Sequence, residues 1–263
     1  MTAYTTEFFD RHREWSFQSA KQVVPLVTEL VQPASVVDVG CGDGTWLQIF
    51  MEQGVQDTLG IDGDYVGSAS LQIPSNCFVS HDLTKPLLSA VTRTFDLVVS
   101  LEVGEHLPAD DAEGFVSTLT SLGPIVLFSA AAPNQGGTEH VNEQWPEYWA
   151  SLFKQHGYVV VDCIRRRIWK DQRVQWWYRQ NILLFVRHGH HAKSGALQQE
   201  IDNRDDSMLS IIHPDAYDFK QQEVEHWHRA FENPSLRKAL ASLPAAVGRT
   251  VSKRFLRPAQ PSP

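Results

Sequence analysis

Apolar residues along this chain come in blocks whose period changes. Short runs of β-branched and aliphatic residues, of strand length, alternate with stretches where apolar positions recur every three or four residues, as on one helix face. The strand blocks are Ser35–Val39, Thr58–Ile61 (ending on Asp62), Cys77–Ser80, Phe95–Ser100 (ending on Leu101 and Glu102) and Ile125–Ser129. Helical blocks lie at about Gly44–Gln53, Pro108–Leu122 and Asn142–Gln155. Asp110, Asp111 and Glu113 fall in the first turn of the second, where the helix dipole favours acid. This alternation predicts a parallel sheet with helices on both faces. Two closing strands, Tyr158–Trp169 and Asn181–Arg187, are joined only by Lys170–Gln180, short enough for an antiparallel hairpin.

Before the first strand, Ser19–Val31 has the pattern of an amphipathic helix that stops ahead of Pro33. Tyr4, Phe8, Phe9, Trp15 and Phe17 make an aromatic lead-in. It fits a helix covering one sheet edge, or a lid lying across the strand ends. After Arg187 the sheet is complete, so residues 1–187 are expected to form the main domain, with 1–33 as its helical lead-in. Residues 188–263 are then a linker and extension. His188, His190 and His191 read as linker, and residues 192–215 are polar enough to be loosely ordered. Tyr217–Phe231 predicts a helix. From Leu236, apolar residues at helical spacing with Lys and Arg on the other faces predict a basic amphipathic helix. Such a helix suits an anionic membrane surface, a partner, or its own domain.

Composition narrows the classes. In 263 residues, 42% apolar and 21% charged, there is enough material for a full α/β core. The longest apolar runs are strand-length, and the first ten residues carry no apolar signal core. The three cysteines, Cys41, Cys77 and Cys163, are far apart and odd in number. They suit a reducing compartment, and a cytoplasmic location is expected. The formal net charge is −8, but from Arg237 onward there are six basic residues and no acidic ones. The remainder therefore holds 17 basic against 31 acidic residues, a balance of −14. An acidic body argues against a nucleic-acid partner.

The candidate chemistry starts where the first strand meets Gly40-Cys41-Gly42-Asp43-Gly44. Strand, glycine turn and helix make a nucleotide cradle, because glycines admit a ligand close to the backbone and the helix aims free N–H groups at it. Asp38 beside the turn would repel a pyrophosphate and favours a cationic ligand group. Asp38, Asp62, Asp82 and Glu102 each end one of the first four strands, the edge where such sheets bind ligands. Asp62 follows Gly44 by 18 positions, near the roughly 20 expected for a ribose-reading acid. The even glycine spacing differs from the G-x-G-x-x-G of NAD sites, which leaves an NAD oxidoreductase as the weaker reading.

Val37-Asp38-Val39-Gly40-Cys41-Gly42-Asp43-Gly44 resembles motif I of the class I S-adenosylmethionine (SAM)-dependent methyltransferases. Asp62, then His81-Asp82-Leu83, then Phe95-Asp96-Leu97-Val98-Val99-Ser100-Leu101-Glu102 are similar to that family's successive motifs. The resemblance covers about residues 15–187. It implies a Rossmann-like, mostly parallel seven-stranded sheet whose last strand is antiparallel. It also implies that Gly40, Cys41 and Gly42 lie against the methionine moiety of SAM and that Asp62 holds the ribose. Asp82 would accept from the adenine amino group, with the Leu83 N–H beside it. Asp38 and Glu102 complete an acidic rim suited to the cationic cofactor.

Methyl transfer needs alignment above all, and a base only for a hydroxyl acceptor of high pKa. His106, in Glu102-Val103-Gly104-Glu105-His106, and His140, in the loop after the fifth strand, are the candidate catalytic residues. A plain reading of that loop has Asn142 or Glu143 capping the next helix. Glu102, Glu105, His106 and His140 together also form a candidate ligand set for Mg²⁺, Mn²⁺ or Zn²⁺. That set is similar to the metal site of small-RNA 3′-terminal 2′-O-methyltransferases and to the Glu-x-x-Glu-His stretch of quinone-biosynthesis O-methyltransferases. Trp169, Trp176, Trp177 and Tyr178, with Arg173 and Arg179, are placed on the closing hairpin, either packing it or stacking on a sugar or aromatic acceptor. Trp145, Tyr148 and Trp149 would join that wall. Arg165-Arg166-Arg167 is placed on a strand, at an edge or solvent face. The expected activity is methylation of a small-molecule hydroxyl, on a sugar, glycan precursor or phenol-like ring. The alternatives are a metal-assisted 2′-O-methyltransferase acting on RNA ends, and a non-catalytic SAM-binding partner protein.

Overall fold

The computed structural model describes residues 6–66, 70–87 and 91–232. Seven strands form one sheet in the order β3-β2-β1-β4-β5-β7-β6. They are β1 (Ser35–Val39), β2 (Asp57–Asp62), β3 (Phe78–Ser80), β4 (Leu97–Leu101), β5 (Ile125–Ser129), β6 (Tyr158–Val161) and β7 (Leu183–Arg187). Every pairing from β3 to β5 is parallel, while β7 runs antiparallel to both β5 and β6. The α/β class, the seven strands and the reversed last strand are as the sequence predicts.

The sheet separates two apolar layers because side chains alternate faces along each strand. On one side Val36, Leu97, Val99, Leu127 and Leu184 pack against α1 (Thr6–Val31), α2 (Thr45–Glu52) and α7 (Gly195–Asp202). On the other, Val37, Val98, Val126 and Phe185 pack against α3 (Ala112–Leu122) and α4 (Pro146–Gln155). Phe153 of α4 stacks on Phe185 with ring centroids 3.9 Å apart. Burial of rings of this size is worth about 1.5–3 kcal/mol each.

Three regions differ from expectation. The closing hairpin is not one pair of long strands: β6 ends at Val161, and α5 (Arg165–Ile168) and α6 (Trp176–Asn181) fill the connection. The arginine run therefore lies on a helical turn. Arg165 is buried, donating to both Asp162 oxygens and to the carbonyls of Gln180 and Leu209. Arg166 and Arg167 share Glu200. The long interval was legible as apolar, but its helical turns were too short to show a period.

Residues 192–215 are folded rather than loose. Ser194 caps α7 by accepting from the Leu197 N–H and donates to the Leu30 carbonyl, while Leu197, Ile201, Leu209 and His213 are buried. Arg179 reaches Asp215 at 2.5 Å and the Trp169 carbonyl at 3.3 Å. The first compact unit accordingly runs to Ala216, beyond the expected boundary at Arg187, and the second spans Tyr217–Pro263. The predicted helix near Tyr217–Phe231 is present as α8 (Pro214–Glu232). The basic amphipathic segment from Leu236 lies outside the described residues. No helix among the described residues is long and apolar enough to cross a membrane.

The lead-in is a single helix from Thr6, longer than predicted. Its C-terminal half is core: Val23, Val24, Val27 and Leu30 are fully buried. Its N-terminal half leans over the strand ends. Arg13 donates to Asp43 of the glycine turn at 2.6 Å, and Trp15 meets the edge of Trp177 at 5.8 Å. Ser19 Oγ accepts from the Gln175 N–H at 3.0 Å, in front of α6. One helix thus packs on a face of the sheet through its C-terminal half and reaches the glycine turn through its N-terminal half.

Candidate active site

All the predicted site residues lie at the carboxyl edge of the sheet or in the loops leaving it, but they form two groups. The first is at β1 and β2. Gly40, Gly42 and Gly44 all take positive φ, which only glycine adopts without strain. At Gly40 a Cβ would also lie 2.3 Å from Val103 Cγ2, whereas at Gly42 a Cβ would meet nothing within 4 Å. The turn is packed from below and open above. The Gly40 and Cys41 amides both donate to the Ile61 carbonyl, which ties the turn to β2.

Asp38 is buried near the end of β1. Burial raises its pKa well above the usual carboxylate range, and the nearby Asp62 raises it further. A buried acid beside the glycine turn suits a cationic ligand. Asp62 is also buried, but it is engaged: Oδ2 accepts from the Gly42 N–H at 2.6 Å, and Oδ1 accepts from the Gly63 N–H and the Tyr65 hydroxyl. Asp82 is exposed, and its Oδ1 accepts from the Thr84 amide and hydroxyl at 3.0 and 2.7 Å. Leu83 follows it half-buried. Cys41 is buried, and burial with the acids around it pushes its thiol pKa up, so it is an inert part of the turn.

The second group lies beyond β4 and β5. Glu102 sits at φ +56 and does not join the histidines. Its carboxylate is taken by two amides, Gln135 Nε2 at 2.8 Å and Asn181 Nδ2 at 3.2 Å, and Asn181 also donates to Gln135 Oε1 at 2.8 Å. Three residues of the expected ligand set come together among the described residues. Glu105, His106 and His140 each bring one ligand atom within 4.8 Å of the others. Glu105 is fully buried, and neither of its oxygens has a hydrogen-bond partner of good geometry. Burial raises its pKa well above normal, and the Glu102 carboxylate adds to this; nearby amides of Glu105 and Ala131 offset only part.

His106 faces His140 edge to face, with ring centroids 4.9 Å apart. Burial of one side and the neighbouring His140 lower the His106 pKa, which favours the neutral imidazole. His140 Nδ1 lies 2.9 Å from Glu143 Oε1. The same carboxylate accepts from the Gly136 N–H at 2.7 Å and, through Oε2, from the Asn134 N–H at 2.7 Å. Neither Asn142 nor Glu143 caps α4, whose N-cap is Trp145. The loop is pinned from the other side by the Glu105 carbonyl, which accepts from the Val141 and Asn142 amides. Asn134, Gly136 and Glu139 take positive φ within this loop, the kind of local strain that surrounding contacts must hold in place.

The aromatic wall is smaller than expected. Trp149 and Tyr178 are core residues, buried to 2% and 5% exposure. Trp176, Trp177 and Tyr148 are half-buried, and Trp145 is exposed. Tyr178 packs edge-on against Trp46 at the start of α2, and desolvation pushes its hydroxyl pKa up to about 12. Glu143, Gln135 and Asn181 were not singled out as site residues from the sequence. None of the three carries a periodic or motif signal: Gln135 and Asn181 meet Glu102 through the fold, and Glu143 acts within an irregular loop.

The model of a methyltransferase-domain family matches residues 9–211, well over half of the chain. The chain belongs to that family. It is a class I SAM-dependent methyltransferase, with the Rossmann-like sheet that goes with it. No curated protein matches it significantly. Among solved structures it is similar to DesVI of Streptomyces venezuelae, at 14% identity over 69% of this chain and 96% of that one, TM-score 0.51. An O-methyltransferase family protein from Burkholderia thailandensis matches at 14% identity over 70% of this chain, TM-score 0.48, and only 60% of that protein's length is spanned. Magnesium protoporphyrin IX methyltransferase from Synechocystis PCC 6803 with bound S-adenosylhomocysteine (SAH) matches at 17% identity, covering 71% and 90% of the two chains, TM-score 0.46.

Proposed function

We propose that this methyltransferase acts on a hydroxyl of a small molecule, with His140 as the base that takes the acceptor's proton. The observation that carries the reading is an imidazole held rigidly at the carboxyl edge, beside His106, in a loop pinned from two sides. SAM supplies an activated methyl group and its own leaving group. The glycine turn gives close approach to the cofactor, Asp38 offers a buried carboxylate to its positive charge, and Asp62 is assigned to the ribose. Asp82 and Leu83 are assigned to the adenine, and Glu102 to the rim between cofactor and acceptor. For the ribose to be read by Asp62, the Tyr65 hydroxyl must share or give up that carboxylate. His140 accepts a hydroxyl proton as the oxygen attacks, and neutral His106 lines the other side. The half-buried Trp176 and Trp177, tied to the site through Asn181 of the same helix, favour a sugar or aromatic ring as acceptor.

A second reading is favoured by the unpartnered, buried Glu105 carboxylate. With His106 and His140 it presents one carboxylate and two imidazoles, a donor set that suits Zn²⁺ or Mn²⁺ better than Mg²⁺. A cation held there would lower the pKa of the acceptor hydroxyl. Methyl transfer from labelled SAM into fractionated small-molecule extract tests the first reading, with His140→Ala as control. Metal analysis of the purified chain, and turnover after chelator dialysis with and without added Zn²⁺ or Mn²⁺, test the second. Turnover unaffected by chelation in a metal-free chain removes it.

A further inference from the structure

Glu143 carries more hydrogen bonds than closing its loop requires. The Asn134 and Gly136 amides already bind its two oxygens, at 2.7 Å each, and the loop's other side is held through the Glu105 carbonyl. The third contact, to His140 Nδ1 at 2.9 Å, is directed at the imidazole alone. The oxygen that faces Nδ1 also accepts from the Gly136 N–H, and a carboxylate oxygen in that position acts as an acceptor. A ring nitrogen facing it must therefore carry a hydrogen, and in the neutral imidazole the lone pair then lies on Nε2. The ring itself sits hard against the main chain: a Cβ at Gly137 would lie 2.2 Å from Nε2. Side chains of His140 and Glu143 are only 12% and 19% exposed, so water competes little for the pair.

We propose that Glu143 is a positioning residue that fixes the Nδ1–H tautomer of His140 and so leaves Nε2 as the atom that takes the acceptor's proton. It rests on the reading that His140 is the base. A neutral histidine without this partner populates both tautomers. A glutamine at 143 that keeps its oxygen on the Asn134 amide turns its N–H₂ toward the ring, which favours a bare Nδ1 at the cost of the Gly136 contact.

The test is long-range ¹H–¹⁵N correlation on the full chain labelled with ¹⁵N-histidine, at neutral pH, with His140 assigned by its loss in His140→Gln. The expected spectrum has hydrogen on Nδ1 and none on Nε2. In Glu143→Gln the Nε2–H form should appear, while SAH affinity by calorimetry stays within about twofold and methyl transfer falls about 10- to 100-fold, the range typical of lost carboxylate–histidine support. Glu143→Asp should recover part of that loss. A wild-type His140 with its hydrogen on Nε2 overturns the proposal, and so does Glu143→Gln with unchanged tautomer and turnover. If Glu143→Gln does not fold, the wild-type spectrum decides alone. Full turnover in His140→Gln would instead defeat the base reading, while the tautomer assignment would stand or fall on the spectra.

Discussion

At the ends of β1 and β2 the polar groups are set by main chain: three positive-φ glycines, two amides on the Ile61 carbonyl, and the Gly42 amide on Asp62. At the ends of β4 and β5 they are set by side chains. Glu102 is held by Gln135 and by Asn181, 79 residues away in sequence, and His140 is held by Glu143. The first half joins one strand–turn–helix sequence to the end of β2. The second requires that β5, α6 and the 130–143 loop be already assembled. On the proposed reading, the cofactor is met by a turn set by main chain and the acceptor by side chains that can change separately.

Mutations should separate the two halves. His140→Ala should lower methyl transfer by about 10²–10⁴-fold, the usual contribution of a general base, with SAH affinity within about twofold. Radiolabel transfer and calorimetry on the same preparation read both numbers. Gly40→Ala should do the reverse of sparing the cofactor. It forces a Cβ into Val103 at a strained φ, and SAH binding should weaken at least about tenfold, against about 1–3 kcal/mol expected for such strain. Asp38→Asn should be smaller and of mixed sign. The folded-state pKa of Asp38 is raised, so its contribution favours the fold below its unfolded pKa and is lost as pH rises through the folded value. Removing the charge should therefore raise the melting temperature near neutral pH by about 2–4 °C, the shift given by 1 kcal/mol in a chain this size, and the gain should vanish at acid pH. SAH affinity should fall in the same variant. Arg13→Ala, which breaks a partly exposed ion pair, should change SAH affinity by no more than about fivefold.

The same contrast explains what could be read from the chain. The order of strands, the glycine turn and the acids at successive strand ends are short-range patterns, and they stand as expected. Glu102 was grouped with Glu105 and His106 because spacing alone cannot tell which way a carboxylate turns after a strand. Its positive φ sends it to Gln135 and Asn181 instead. Glu143 read as a helix cap because its partners, two strained-loop amides and an imidazole, have no sequence signature. Residues 192–215 read as loose because their polarity hides the few anchors, Leu197, Ile201, Leu209 and His213, that the fold buries.

The most direct test of the account uses labelled SAM with wild type and His140→Ala on the same fractionated extract. The account expects a small-molecule product carrying the label as an O-methyl group, formed by wild type and reduced at least about a hundredfold in His140→Ala, although both chains bind SAH equally. An N- or C-methylated product, or equal product from both chains, would contradict it.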